Sequence, residues 1–147
     1  MQDLIIPSTH DGTKMKKILL LATTVFFSQA LFAATDHFYL KEGNHIQHMK
    51  ITKLNDEVIV TADVDFEPNA NESNAKACAG DIAGQAKFIS ENELLMKKHA
   101  ESAASYCELT INLTNTGATV KQSEGCNYFA TGICHFSTAN NELKKVN

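Results

Sequence analysis

Hydrophobic and polar residues alternate one by one through much of the chain after residue 34. The clearest case lies between residues 58 and 67, where an apolar set of positions interleaves with a mostly polar and acidic set. Period two is typical of a β-strand with one face in a core and the other in water. The apolar set is Val58, Val60, Ala62, Val64 and Phe66, and the interleaved set is Ile59, Thr61, Asp63, Asp65 and Glu67.

Further strands are predicted on both sides of this segment. Residues 47–54 form its expected hairpin partner, with Asn55 and Asp56 as turn residues that tolerate left-handed backbone. A short strand at 37–41 precedes them, and the Asn-rich stretch 68–77 is predicted to be a surface loop.

Three more pairs of segments follow. Residues 84–90 and 94–98 predict a second hairpin, although 92–105 also fit a helix. Residues 107–113 and 118–122 predict a third hairpin, in which Gly117 is expected to supply a positive φ. Residues 132–137 and 142–146 predict a final hairpin.

Short strands at regular spacing, with turns of Asn, Asp and Gly, predict an all-β fold. We expect a small antiparallel meander that closes into a barrel or sandwich. Because tryptophan is absent, the remaining aromatic residues are expected to carry much of the packing. After residue 34 they are Phe38, Tyr39, Phe66, Phe88, Tyr106, Tyr128, Phe129 and Phe136.

A basic cap, Met15-Lys16-Lys17, precedes an uncharged and mostly apolar run at 18–27, the layout of a secretory signal peptide. The run is shorter than the roughly 20 residues that span a bilayer. Because Asp3, Pro7 and Asp11 ahead of the basic cap are unusual for a signal peptide, we predict that translation starts at Met15. Cleavage is expected after the small residue Ala33, and residues 34–147 are expected to form a single β domain, periplasmic or secreted. The alternative is that 18–32 stays as a membrane anchor.

The predicted mature part is acidic. It has ten lysines and no arginine against fifteen Asp and Glu, a formal charge of −5. This balance argues against nucleic-acid binding, which needs a basic footprint. It permits a basic protein partner, although solubility alone also explains it.

All four cysteines, Cys78, Cys107, Cys126 and Cys134, lie in this part. In an oxidising compartment they predict two disulfides, for which three pairings exist. We favour Cys126–Cys134 as a local clamp and Cys78–Cys107 as a longer tie between strands.

The cysteine-rich stretch near the C-terminus does not have the pattern of a reactive site. Cys134 and His135 are adjacent, so on a strand their side chains point to opposite faces. The spacing of Cys126 and Cys134 fits no common zinc pattern, and His45 and His48 are three apart, which suits a helix rather than a strand. We predict no catalytic residue, no metal and no cofactor.

A loop clamped by Cys126 and Cys134 would hold Tyr128 and Phe129 on a constrained turn, either as a core plug, which we favour, or as a binding surface. If it binds, the expected contact residues are Tyr128, Phe129, His135 and Ser137. Asp63 and Asp65 would steer a basic partner, although outward carboxylates also discourage edge-to-edge aggregation.

The layout Cys78-Ala79-Gly80, Tyr106-Cys107-Glu108-Leu109, Gly125-Cys126 and Cys134-His135-Phe136 resembles small exported bacterial proteins of the lysozyme-inhibitor-like kind. That resemblance covers residues 77–146. It implies a small β-barrel that inserts a loop into the lysozyme cleft, for which the nearest segments here are 127–133 and 136–138.

These observations predict an exported binding protein that inhibits a lysozyme or another cell-wall hydrolase by occluding its cleft. Two alternatives stay open. One is a secreted hydrolase or metal-dependent enzyme that uses His45, His48, His99 or His135. The other is an immunity-type or structural interaction protein with a different partner.

Overall fold

The computed structural model describes residues 33–72, 74–102 and 104–146, and these form a closed antiparallel barrel. Its strands are β1 (Ala34–Glu42), β2 (His45–Leu54), β3 (Glu57–Phe66), β4 (Cys78–Ser90), β5 (Glu93–His99), β6 (Tyr106–Leu113), β7 (Gly117–Gln122) and β8 (Leu143–Val146). Each strand pairs with the next along the chain, and β8 also pairs with β1. The predicted all-β meander is confirmed, in its barrel form.

The alternating pattern maps directly onto the barrel wall. On β3, Val60, Ala62, Val64 and Phe66 are buried, whereas Asp63 and Asp65 are exposed. The predicted inward row of β6 behaves in the same way, with Cys107, Leu109 and Ile111 fully buried. Side chains fill the interior, as expected of a small eight-stranded barrel. The largest fully buried ones are Met49, Ile51, Ile82, Leu94, Met96, Leu109, Ile111 and Leu143.

The two ends of the barrel carry different connections. The β1–β2 turn, the end of β3 and the start of β4 lie at one end, which we call the upper end. The β2–β3 and β4–β5 turns lie at the lower end. The predicted loop at 68–77 joins β3 to β4 at the upper end, and its described residues contain no strand.

The turn chemistry agrees with the sequence at one position and differs at another. Asn55 has a φ of 53°, the left-handed conformation predicted for the β2–β3 turn. Gly117 does not have a positive φ, so that prediction was wrong. Glycine is needed there for a different reason, because a Cβ would collide with the Leu143 carbonyl oxygen and with the Glu142 side chain where β7 meets β8.

The second predicted hairpin is confirmed and its helical alternative is excluded. Residues 93–99 form β5, which pairs with β4 on one side and β6 on the other. Strand β4 is longer than predicted, since it begins at Cys78.

The predicted final hairpin was wrong in its first half. Residues 132–137 are not a strand, and β8 pairs with β1 and β7 instead.

The expectation about aromatic packing was too broad. Phe38, Phe66 and Phe136 are buried and Phe129 is partly buried against the core, but the others lie at the surface: Tyr39, Phe88, Tyr106 and Tyr128.

The chain has two disulfides, as predicted, but they pair differently. Cys78 is bonded to Cys134, and Cys107 is bonded to Cys126. The short 3-10 helix at Glu124–Tyr128 packs against β6 and brings Cys126 to Cys107, whose Cα lies 4.2 Å away. Disulfides persist in oxidising compartments, which places the protein in one.

The predicted start at Met15 and the apolar run at 18–32 lie outside the described residues. Within the described ranges, no helix has the length and apolar character needed to cross a membrane.

The observed pairing predicts a specific peptide map and two different stabilities. Digestion without reduction should yield peptides that link Cys78 to Cys134 and Cys107 to Cys126. Because the closed loops span sequence separations of 56 and 19, the variant C78A/C134A should lose about 4 kcal/mol of unfolding free energy. The variant C107A/C126A should lose about 3 kcal/mol.

Urea unfolding of the two paired variants measures these losses. Recovery of a peptide that joins Cys126 to Cys134 would contradict the fold described above.

Candidate functional site

The segment at residues 124–141, which we call the cap, crosses the upper end of the barrel. It starts as the 3-10 helix, passes over β4 and reaches Cys134, where the disulfide to Cys78 fixes it. The passage over β4 requires Gly80, because a Cβ there would collide with the Ala130 side chain and the Phe129 carbonyl oxygen. The two disulfides attach the cap to different strands, through Cys134 to β4 and through Cys126 to β6.

The cap also closes a gap in the barrel wall. Strand β8 pairs with β7 through only two residue pairs, Gly117–Lys144 and Ala118–Leu143. Beyond them, Thr138 takes over the pairing with β7. Its N–H donates to the Val120 carbonyl at 3.0 Å, and its Oγ1 accepts from the Val120 N–H at 3.0 Å.

Two glutamines hold the same stretch of the cap from opposite sides. Gln122 Oε1 accepts the N–H groups of Phe136 and Ser137, at 2.6 and 3.2 Å. From β2, Gln47 Nε2 donates to the carbonyl oxygens of His135 and Ser137, at 2.7 and 3.2 Å. These bonds replace strand pairing and let Phe136 enter the core.

A buried histidine pair lies under the cap. The rings of His45, on β2, and His135, on the cap, have centroids 5.5 Å apart. His45 is only 8% exposed, and neither its Nε2 nor the buried Nδ1 of His135 has a hydrogen-bond partner. Burial, and then the charge of a protonated His135, lower the pKa of His45 below its ordinary 6.5, while Glu42 and the Ile133 backbone act in the opposite direction.

The other histidines that the structure describes, His37, His48 and His99, form separate contacts on the outer wall. His48 stacks on His37, with centroids 5.7 Å apart, and its Nδ1 lies 3.4 Å from Asp63 Oδ1. His99 packs on Tyr106. His45 and His48 are thus on opposite faces of β2, as strand geometry requires.

The predicted contact residues divide between surface and interior. Tyr128 is 58% exposed and borders a surface pocket of about 390 Å³. Phe129 is partly buried against the core, and His135 and Ser137 are half-buried. The predicted disulfide clamp around residues 127–133 is absent, because Cys126 and Cys134 are each bonded to a barrel strand. Phe136 fills the core and Phe129 packs partly against it, whereas Tyr128 is exposed.

The predicted steering charges lie on one outer wall. Asp63 and Asp65 are exposed on β3, and Asp63 stands directly opposite the exposed Asp81 of β4. Like charges at such cross-strand positions cost folding free energy, on the order of 0.2–1 kcal/mol. The wall therefore concentrates negative charge beside the capped end, where β3 finishes at Phe66 and pairs with Cys78.

Two residues at the cap were not predicted. Ile133 is 48% exposed, next to the disulfide-bonded Cys134. Gln47 is 4% exposed and occupies an inward position on β2, in the same row as Met49 and Ile51. A polar residue in the apolar row of a predicted strand was the signal that could have identified Gln47, whereas nothing local marks Ile133.

The cysteines cannot act as thiolate nucleophiles or as thiolate metal ligands while they are bonded in pairs. In the described part of the chain, no group of three or more His, Cys, Asp or Glu side chains is arranged to hold a metal ion. The site is thus a covalently fixed cap with an exposed edge, which we call the rim and which carries Tyr128 and Ile133, and with a buried histidine pair beneath it.

These features define the chain as a disulfide-capped, eight-stranded antiparallel β-barrel. Comparison with protein-family models, with curated proteins and with solved structures finds no match for it.

The buried histidine predicts a pH-dependent stability with a defined sign. The folded protein lowers the pKa of His45 below 6.5, so the unfolded chain binds the proton more readily. The folded state therefore has its full stability with respect to His45 above pH 6.5 and loses stability as the pH falls below that value. In metal-free buffer, the unfolding free energy should decrease from pH 8 to pH 5, and less so in His45→Phe.

The matched control is His48→Gln, which leaves the buried pair intact and should retain the wild-type slope between pH 8 and pH 5. Equal slopes for wild type and His45→Phe in urea unfolding would show that His45 is not the responsible group.

Proposed function

We propose that the protein is an exported binding protein that inhibits a basic lysozyme-type cell-wall hydrolase by occluding its cleft. The observation that carries the proposal is the cap: a segment bonded covalently to β4 and β6 that presents Tyr128 and Ile133 to solvent. The resemblance of the cysteine layout to lysozyme-inhibitor-like proteins supplies the class of partner.

The cap is suited to binding because the backbone that carries its exposed side chains is held by two disulfides before a partner arrives. Ordering a mobile loop costs affinity, and rigid segments avoid that cost. Ile133 adjoins Cys134, and Tyr128 lies two residues beyond Cys126, so both anchors are close to a disulfide. Partly exposed aromatic side chains are frequent energetic anchors of protein interfaces.

The acidic wall supports a basic partner. Asp63 and Asp65 project from the strand that ends beside the cap, and Asp81 adds a third carboxylate on the neighbouring strand. Negative potential next to the contact surface raises the encounter rate with a cationic protein and disfavours acidic ones.

An oxidising compartment agrees with this function. The two disulfides tie the cap to the barrel, and cell-wall hydrolases act outside the cytoplasm, in the periplasm or beyond the cell. Export to either location through the predicted signal peptide would bring inhibitor and hydrolase together.

The first test is inhibition of a panel of animal and bacterial lysozymes by the disulfide-intact protein. For a hydrolase that is inhibited, Tyr128→Ala and Ile133→Ser should each raise the inhibition constant. The increase for Tyr128→Ala should be about 30-fold, since it truncates an interface anchor. Phe88→Ala is the matched control, because Phe88 is 43% exposed near the lower end of the barrel. Unchanged inhibition by both cap variants would remove the cap from the interface, and failure against every lysozyme would withdraw this partner class.

The charges should act mainly on the association rate. The double variant D63N/D65N should associate several-fold more slowly at low salt, with little change in the dissociation rate, and the difference should shrink as salt screens the interaction. The control D56N/E91Q removes the same two charges from turns at the lower end. Equal slowing by both double variants would indicate that only net charge matters.

A further inference from the structure

Three buried side-chain atoms lack a hydrogen-bond partner in the described part of the chain, and they belong to neighbouring residues. They are His45 Nε2, His135 Nδ1 and Gln47 Oε1. The two rings contact each other, and Gln47 donates to the backbone of His135. Buried polar atoms are almost always satisfied, so three unpartnered atoms in one cluster call for a shared partner.

The arrangement of the rings fits a metal ion as that partner. At Zn–N distances of about 2.0–2.1 Å, two imidazoles bound tetrahedrally to one ion have ring centroids about 5.2 Å apart. The observed separation is 5.5 Å. Both unpartnered nitrogen atoms belong to these rings, and imidazole nitrogen is a preferred ligand of Zn²⁺, Cu²⁺ and Ni²⁺.

The surroundings favour a cation with few protein ligands. Glu42 lies close enough for its charge to raise the pKa of His45, and it would offset part of the positive charge of an ion. Metals bind the neutral form of imidazole, and the buried ring of His45 offers an unpartnered Nε2. A cavity of about 10 Å³ beside Gln47 has room for about one water.

From this cluster we propose that His45 and His135 bind one divalent late transition-metal ion between β2 and the cap, with Gln47 and water completing its coordination. The ion would connect the cap to a third strand, in addition to the two strands that the disulfides reach. Because His135 is only half-buried, the ion can enter from the rim. The inference is independent of the proposed inhibition and concerns a different face of the cap from Tyr128.

The test uses full-length protein exported to the periplasm of a bacterial host, without a polyhistidine tag, and stripped with a chelator. Zn²⁺ titrated by calorimetry should bind with one equivalent, and saturating Zn²⁺ should raise the thermal unfolding midpoint. Ca²⁺ and Mg²⁺ should do neither, because they prefer oxygen ligands. Cu²⁺ should give an electron paramagnetic resonance spectrum with hyperfine splitting from two imidazole nitrogens.

The variant His135→Asn should lose at least about tenfold in affinity for Zn²⁺, together with the thermal shift and one of the two nitrogen couplings. His45→Gln should behave likewise, and His135→Asn keeps the experiment decisive if loss of the buried His45 prevents folding. The matched control is His48→Asn, which removes one imidazole from the half-buried stack with His37 on the outer wall and should bind as the wild type does.

Three outcomes would overturn the proposal. Absence of Zn²⁺ and Cu²⁺ binding to folded wild type would indicate that water alone bridges the three atoms. Undiminished binding in His135→Asn would place the ion elsewhere, and equal losses in His135→Asn and His48→Asn would indicate unspecific binding to surface histidines.

Discussion

Closure of the barrel by β8, which lies between β7 and β1, is the constraint on which the rest of the structure depends. A sheet closes without free edges only if its last strand satisfies both neighbours. Strand β8 has four residues and pairs with β7 at only two positions. The upper part of the wall would expose unpaired backbone groups of β7 if the cap did not cover it. The Thr138–Val120 bonds and the Gln122 side chain perform this task.

This dependence explains why the cap is attached so firmly. A segment without regular secondary structure gains little from its own backbone bonding, so its ordering must be offset by other interactions. Here the two disulfides reduce the entropy of the unfolded chain, and burial of Phe136 adds an apolar contribution. Gln47 is part of the same solution, because it satisfies two cap carbonyls that would otherwise lie unpaired beneath the surface. The polar cluster around His45 follows from bringing an irregular backbone over an apolar core.

The strands were predictable from the sequence because a barrel wall has one wet face and one dry face, which imposes period two. The alternation through β3 and β6 therefore identified both the elements and the inward residues. The cap was not predictable, since its partners are distant along the chain. Local spacing favoured Cys126–Cys134, but the 3-10 helix directs Cys126 to β6, and Cys134 crosses to β4. Residues 132–137 were expected to form a strand because nothing local indicates that Gln47 and Gln122 supply their hydrogen bonds.

The candidate site was predictable only in its composition. The sequence predicted Tyr128 and His135 as contact residues and the β3 carboxylates as steering charges, yet it could not show which face of the cap Tyr128 and His135 would occupy. The structure separates them: His135 and Phe136 face inward or along the rim, whereas Tyr128 and Ile133 face solvent. A single covalently fixed segment thus completes the wall with one face and leaves the other free. Because the inward face already determines the conformation, a partner that bound the outward face would not have to order it first.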